Sequence, residues 1–182
     1  MRIVTLILTG LMTASTAPAS GKVPRPSPEL IMQRGGAAPI TLRQFKGKIV
    51  ALAFTYTTCD HCQALTVALK KIQADYAAQN VQVVECAFEE DVKTNYPMFL
   101  KAFTPNFPTG YTTAVAVKKY LSWDDLIEGM LRVPYMIFID AGGMIRGDFS
   151  GKDGFFGEAD KHIRAELDKM TKAAAKQTAP KK

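Results

Sequence analysis

The 182-residue chain has one tryptophan, two histidines and three cysteines. Three cysteines are too few for a disulfide-stapled mini-protein and too few for a four-cysteine zinc site. No apolar run is long enough to cross a bilayer repeatedly, which excludes a multi-pass helical membrane protein. Hydrophobic residues make up 47% and charged residues 22%, a globular balance that excludes a wholly disordered chain. There is no internal repeat, and the length suits one domain.

The net charge is +6, from 23 Lys and Arg against 17 Asp and Glu. Part of that excess lies in Lys169, Lys172, Lys176, Lys181 and Lys182, in a final stretch without an acid. Such an Ala/Lys-rich end reads as a solvated tail. It holds no aromatic residue, so base stacking has no support and no nucleic-acid partner is implied. At the other end, Arg2 precedes an apolar stretch of about ten residues, followed by Ala17-Pro18-Ala19. These are the parts of a cleavable secretory signal. As a retained anchor the stretch is short, so no stable membrane span is expected after cleavage. Export to the periplasm or beyond puts the cysteines in an oxidising compartment.

Pro24, Pro26 and Pro28 alternate and suit an extended linker rather than a helix. Ile49 to Tyr56, IVALAFTY, is apolar and bounded by turn residues, as a strand buried on both faces should be. Leu65, Leu69, Ile72 and Tyr76 then share one helical face, and Asn80 is a helix stop. Val81 to Phe88, VQVVECAF, reads as the next buried strand, so the unit is βαβ with parallel strands. Lys93 to Phe103 is helical, with Pro97 limiting how early it begins. Ala114 to Leu121 is weakly helical, and Ser122 with Asp125 caps a short helix through Met130. Tyr135 to Asp140 and Met144 to Phe149 form a hairpin across Ala141-Gly142-Gly143. Phe156, Ile163, Leu167 and Met170 place a last helix on the sheet.

The chemical signal is Cys59-Asp60-His61-Cys62, where a buried strand gives way to an amphipathic helix. A helix N-terminus offers unpaired N–H groups and the positive end of the dipole, and both favour a thiolate at Cys59. Two intervening residues let the sulfurs meet across one turn. Cys59 is then the attacking sulfur and Cys62 the one that resolves the mixed disulfide. A partly charged His61 favours the thiolate further, while Asp60 opposes it. Cys86 reads as a small buried apolar residue. Pattern alone leaves Val133–Pro134 trans, the common state of such a bond.

ITLRQFKGKIVALAFTYTTCDHC and RVPYMIFIDAGGMIRGDFSG together resemble the thioredoxin-like superfamily, specifically exported thiol-disulfide oxidoreductases of the TlpA/ResA type. The resemblance covers about Pro39 to Met170 and is weakest between Thr104 and Leu131. It implies an α/β fold with a central mixed sheet flanked by helices. It implies a cis Val133–Pro134 bond opposite the cysteines, where Val133 and Asp60 touch a substrate chain and Pro134 shields the sulfurs. It implies protein thiol or disulfide substrates, a redox partner protein, and no metal or other cofactor. The resulting division is a signal at 1–19, an extended linker at 20–38, a thioredoxin-like domain at 39–170 and a Lys/Ala-rich tail at 171–182.

Three features depart from that family. Thr58 stands where Trp usually precedes the first cysteine, and Asp60-His61 lacks the usual proline. The buried acid that takes the second thiol's proton is absent from IVALAFTY, and Glu89 is a candidate for it. Two other readings belong to the same superfamily. Phe54 to Cys59 resembles the lead-in of Sco-type copper chaperones, but those have three residues between the cysteines and a distal histidine, for which only His162 is at hand. A peroxiredoxin-like peroxidase needs Thr three residues before its cysteine, where this chain has Tyr56; Arg132 could serve it.

Overall fold

A computed structural model describes residues 23–121 and 132–178. The signal at 1–19 and the helix expected from Ser122 to Met130 lie outside the described residues, as do Lys181 and Lys182.

The frame is set by the strand expected from IVALAFTY. It forms β4 (Ile49–Thr55) and is buried along its whole length. Its residues alternate between two cores, as a period of two requires. Val50, Leu52 and Phe54 enter one cluster, while Ile49, Ala51 and Ala53 enter the other. The amphipathic stripe folds as α1 (Asp60–Tyr76), and Leu65, Leu69, Ile72 and Tyr76 are all buried. Asn80 closes the connection in a left-handed conformation at φ 60°, and its side-chain amide donates to Gly47 O at 2.8 Å. The chain returns as β5 (Val81–Ala87), parallel to β4 with Ala53 opposite Glu85 and Phe54 opposite Cys86.

The other elements extend this βαβ core. They are α2 (Val92–Phe103), β6 (Thr109–Tyr111), α3 (Ala114–Tyr120), β7 (Tyr135–Ile139), β8 (Met144–Phe149) and α4 (Ala159–Thr178). β7 lies antiparallel to β4 on the side away from β5, with Tyr135 opposite Phe54. The helices α1 and α4 cover one face of the sheet with Phe155, and α3 covers the other. The result is the mixed sheet with flanking helices that the resemblance implied, an α/β fold.

Three expectations are corrected. The segment expected as a linker at 20–38 is extended, but its described part is built into the sheet. β1 (Arg25–Pro26) pairs with β8, and β2 (Ile31–Arg34) pairs with β6 and with β3 (Ala37–Thr41). Prolines are tolerated there because these are short strands at or near the sheet edges. The strand order is β1-β8-β7-β4-β5-β6-β2-β3. Likewise α4 runs on through the Lys/Ala-rich stretch to Thr178, since Ala and Lys are strong helix formers. Pro97 also sits inside α2 rather than delaying it. It stands on an exposed face while Tyr96 and Phe99 are buried, and the Tyr96 hydroxyl anchors the helix to Thr109 O at 2.6 Å.

Candidate active site

β4 ends at Thr55 and α1 begins at Asp60, so four residues must turn the chain upward. Cys59 is the N-cap, in an extended conformation at φ −90° and ψ 119°. Its N–H donates to Tyr56 O at 3.2 Å, and its carbonyl accepts from Gln63 N at 2.9 Å. Cys59 is half-exposed and Cys62 is buried at 0% exposure. The two side chains are in hydrogen-bond contact. Burial holds the Cys62 thiol far above its ordinary range, and Cys59 and Glu85 add to the effect. Cys62 is therefore protonated at rest and needs a base before it can attack.

The buried acid that bears on Cys62 is Glu85 rather than Glu89: its charge is among the causes that raise the Cys62 thiol. Glu85 lies inside β5 at 0% exposure, on the face covered by α1. Burial pushes its carboxyl up to about 7, against hydrogen bonds from Thr66 and Thr55. Thr66 Oγ1 lies 2.7 Å from Glu85 Oε1 and 3.1 Å from Cys62 O. A threonine has one hydroxyl proton and cannot donate to both. The Thr66 proton therefore goes to one of them at a time; when it goes to Glu85, the carboxylate Oε1 accepts from both Thr66 and Thr55. Glu85 Oε2 is buried without a partner. The signal available in the sequence was a lone charge amid VQVVECAF, since Glu is almost never fully buried without a reason.

Glu89 has another place. It is half-buried after β5, and its Oε1 accepts from Thr57 N at 2.9 Å and from the Thr57 hydroxyl. Cys86 lies on the sheet face opposite α1, packed with Phe54, Val84 and Phe88, which keeps it away from Cys62. His61 and Asp60 are exposed in the first turn of α1. Val133–Pro134 is cis, as the resemblance implied and the pattern did not; Val23–Pro24 is cis as well. Pro134 precedes β7, whose first residue sits opposite Phe54, near the end of β4. His61, Val133 and Pro134 accordingly line one groove of about 380 Å³ with Leu65, Ala68 and Phe156.

His162 sits on α4, where its Nδ1 is 2.8 Å from Phe155 O and its ring centroid 5.5 Å from that of Phe155. Among the described residues no group of three or more His, Cys, Asp or Glu is placed to hold a metal ion. Tyr56 packs its ring on Phe88 at 4.7 Å. Arg132 is exposed, and its carbonyl accepts from Gly151 N at 3.0 Å. No described helix is long and apolar enough to cross a membrane.

A βαβ-centred mixed sheet with paired cysteines at a helix start defines a thioredoxin-like protein. The Redoxin family model matches residues 15–163, and the chain belongs to that family. Among solved structures it is similar to a hypothetical protein from Sinorhizobium meliloti 1021, at 19% identity and TM-score 0.69, covering 87% of this chain and 89% of that one. It is also similar to a thiol:disulfide interchange protein of the thioredoxin family from Chlorobium tepidum TLS (20% identity, TM-score 0.62, 80% and 98% covered). A third is the thioredoxin domain of a thiol-disulfide oxidoreductase from Bacteroides vulgatus, at 16% identity and TM-score 0.59, covering 85% and 98%. No curated protein matches the chain.

Proposed function

We propose that the protein is an exported thiol-disulfide oxidoreductase that exchanges disulfides with protein substrates through Cys59 and Cys62. The observation that carries this reading is a half-exposed Cys59 at the α1 N-cap in contact with a buried Cys62 that has a carboxyl group beneath it. In the reducing direction the Cys59 thiolate attacks a substrate disulfide. A bond forms between Cys59 and one substrate sulfur, and the other substrate sulfur leaves as a thiolate. Cys62 then gives its proton to Glu85 and attacks the Cys59 sulfur. The second substrate thiolate leaves; the substrate has gained two electrons and the protein holds a Cys59–Cys62 disulfide. The oxidising direction is the reverse of these steps.

Val133, Pro134 and Asp60 border the site and are the elements against which a substrate chain docks. The groove that Val133 and Pro134 share with His61 supports their part in it, and Asp60 precedes His61 in the exposed first turn of α1. His61, exposed at the helix start, tunes how strongly the reduced pair is favoured. The leader at 1–19 supports export to the periplasm or outside the cell, and a partner protein must then restore the redox state of the pair. Exchange with a disulfide-containing protein tests the reading. Cys59→Ser abolishes it, and Cys62→Ser accumulates mixed disulfides through Cys59. Full exchange by Cys59→Ser contradicts the assignment.

A further inference from the structure

The turn that carries Cys59 is Tyr56-Thr57-Thr58, with neither glycine nor proline in it. The two stiffening features of the family it resembles, Trp before the first cysteine and Pro before the second, are Thr58 and His61 here. The turn therefore lacks the stiffening that a proline or the family's tryptophan would give it. Side-chain hydrogen bonds hold it instead. Thr57 is buried at 4% exposure, and all three of its polar groups are held by side chains. Its N–H donates to Glu89 Oε1 at 2.9 Å, and its hydroxyl donates to the same oxygen. Its carbonyl accepts from Gln63 Nε2 at 2.8 Å. Gln63 belongs to α1, so the turn is gripped from the helix on one side and from the end of β5 on the other.

Glu89 is held firmly enough to act as that grip. It follows Phe88, whose N–H donates to Thr55 O at 3.3 Å and whose ring packs on Tyr56. Its second oxygen, Oε2, is buried without a partner. Burying an unsatisfied carboxylate oxygen is unfavourable, so the position asks for a role that repays the cost.

We propose that Glu89 is a positioning residue for the Cys59–Cys62 pair: its carboxylate fixes the Thr57 turn and so sets where Cys59 presents its sulfur. This rests on the disulfide-exchange reading above. Small displacements of a reacting group cost rate steeply, so the effect belongs in the exchange step more than in substrate binding.

The test compares Glu89→Ala and Glu89→Gln in the full chain, by steady-state reduction of a disulfide-containing peptide and by iodoacetamide alkylation of Cys59 in the reduced protein. Glu89→Ala is expected to lower kcat about tenfold with KM nearly unchanged. Glu89→Gln keeps an oxygen that accepts both Thr57 donors and is expected to stay within about twofold of the parent. Should Glu89→Ala fail to fold, Thr57→Val removes only the hydroxyl donor and is expected to lower kcat about threefold. A parental kcat in the folded Ala variant, or in Thr57→Val where that variant replaces it, overturns the proposal. So does a Gln variant that falls as far as Ala. If the parent itself exchanges no disulfides, the functional reading fails separately. The alkylation rates then decide the Glu89 proposal, with parent and Gln alike and Ala different.

Discussion

Glu85 and Glu89 stand four residues apart and have opposite environments. Glu89 is half-buried and engaged by a turn; Glu85 is sealed between β5 and α1. The second carboxyl makes a signed prediction. In the unfolded chain it titrates near the ordinary 4.5, and in the fold near about 7. The folded protein therefore binds the proton more tightly, and stability is lost as pH rises between those values. The penalty above pH 7 is on the order of 3 kcal/mol. Glu85→Gln is thus expected to raise the Tm at pH 8 and leave it nearly unchanged at pH 4, while slowing resolution of mixed disulfides. Equal Tm gains at both pH values would show that the charge is not what burial opposes. At this scale Cys59, Cys62 and Pro134 were readable from spacing or resemblance. Glu85 was hidden because a single charge in VQVVECAF leaves the apolar pattern of the strand intact. Glu89 could not be read, because its partner Thr57 lies 32 residues away.

At the scale of elements, α1 is the part that fold and chemistry share. Its stripe of Leu65, Leu69, Ile72 and Tyr76 seats it on the sheet, and that seating fixes the helix start at Cys59. Each fully buried aliphatic side chain contributes roughly 1.5–3 kcal/mol. Leu69, at 0% exposure, is expected to cost about 2–5 kcal/mol when cut to alanine, measured by urea unfolding. A cost below about 1 kcal/mol would mean that the stripe is not what holds the helix. The long elements were legible because their periods are strong: 3.6 in α1, and continuous apolar runs in β4 and β5. The short ones were not. β1, β2 and β6 have two to four residues each and depend on pairing with distant strands, which local sequence does not encode.

For the whole molecule, the corrected N-terminal segment changes what counts as the domain. Arg25 on β1 forms an ion pair with Asp148 on β8, and Asp148 is also hydrogen-bonded by the Tyr135 hydroxyl. Ser27 Oγ meets the Tyr120 hydroxyl at 2.8 Å, tying the same segment to α3. Removing one partner of a buried pair leaves a charge unpaired, at about 3–5 kcal/mol. Arg25→Met is therefore expected to destabilise by roughly that amount in urea, and a loss near zero would return the segment to the status of a linker. Tyr135 stands next to Pro134, so this strap also bears on the wall of the groove beside His61.

The central claim is that Cys59 and Cys62 form one reversible redox pair, with Cys86 outside it. The most direct measurement is equilibration of the whole protein against glutathione redox buffers, followed by thiol trapping and mass analysis of each cysteine. The account predicts a single two-electron transition confined to Cys59 and Cys62, at a potential between about −270 and −120 mV, with Cys86 a thiol in both states. A pair that never oxidises across that range, or a disulfide that includes Cys86, would contradict it.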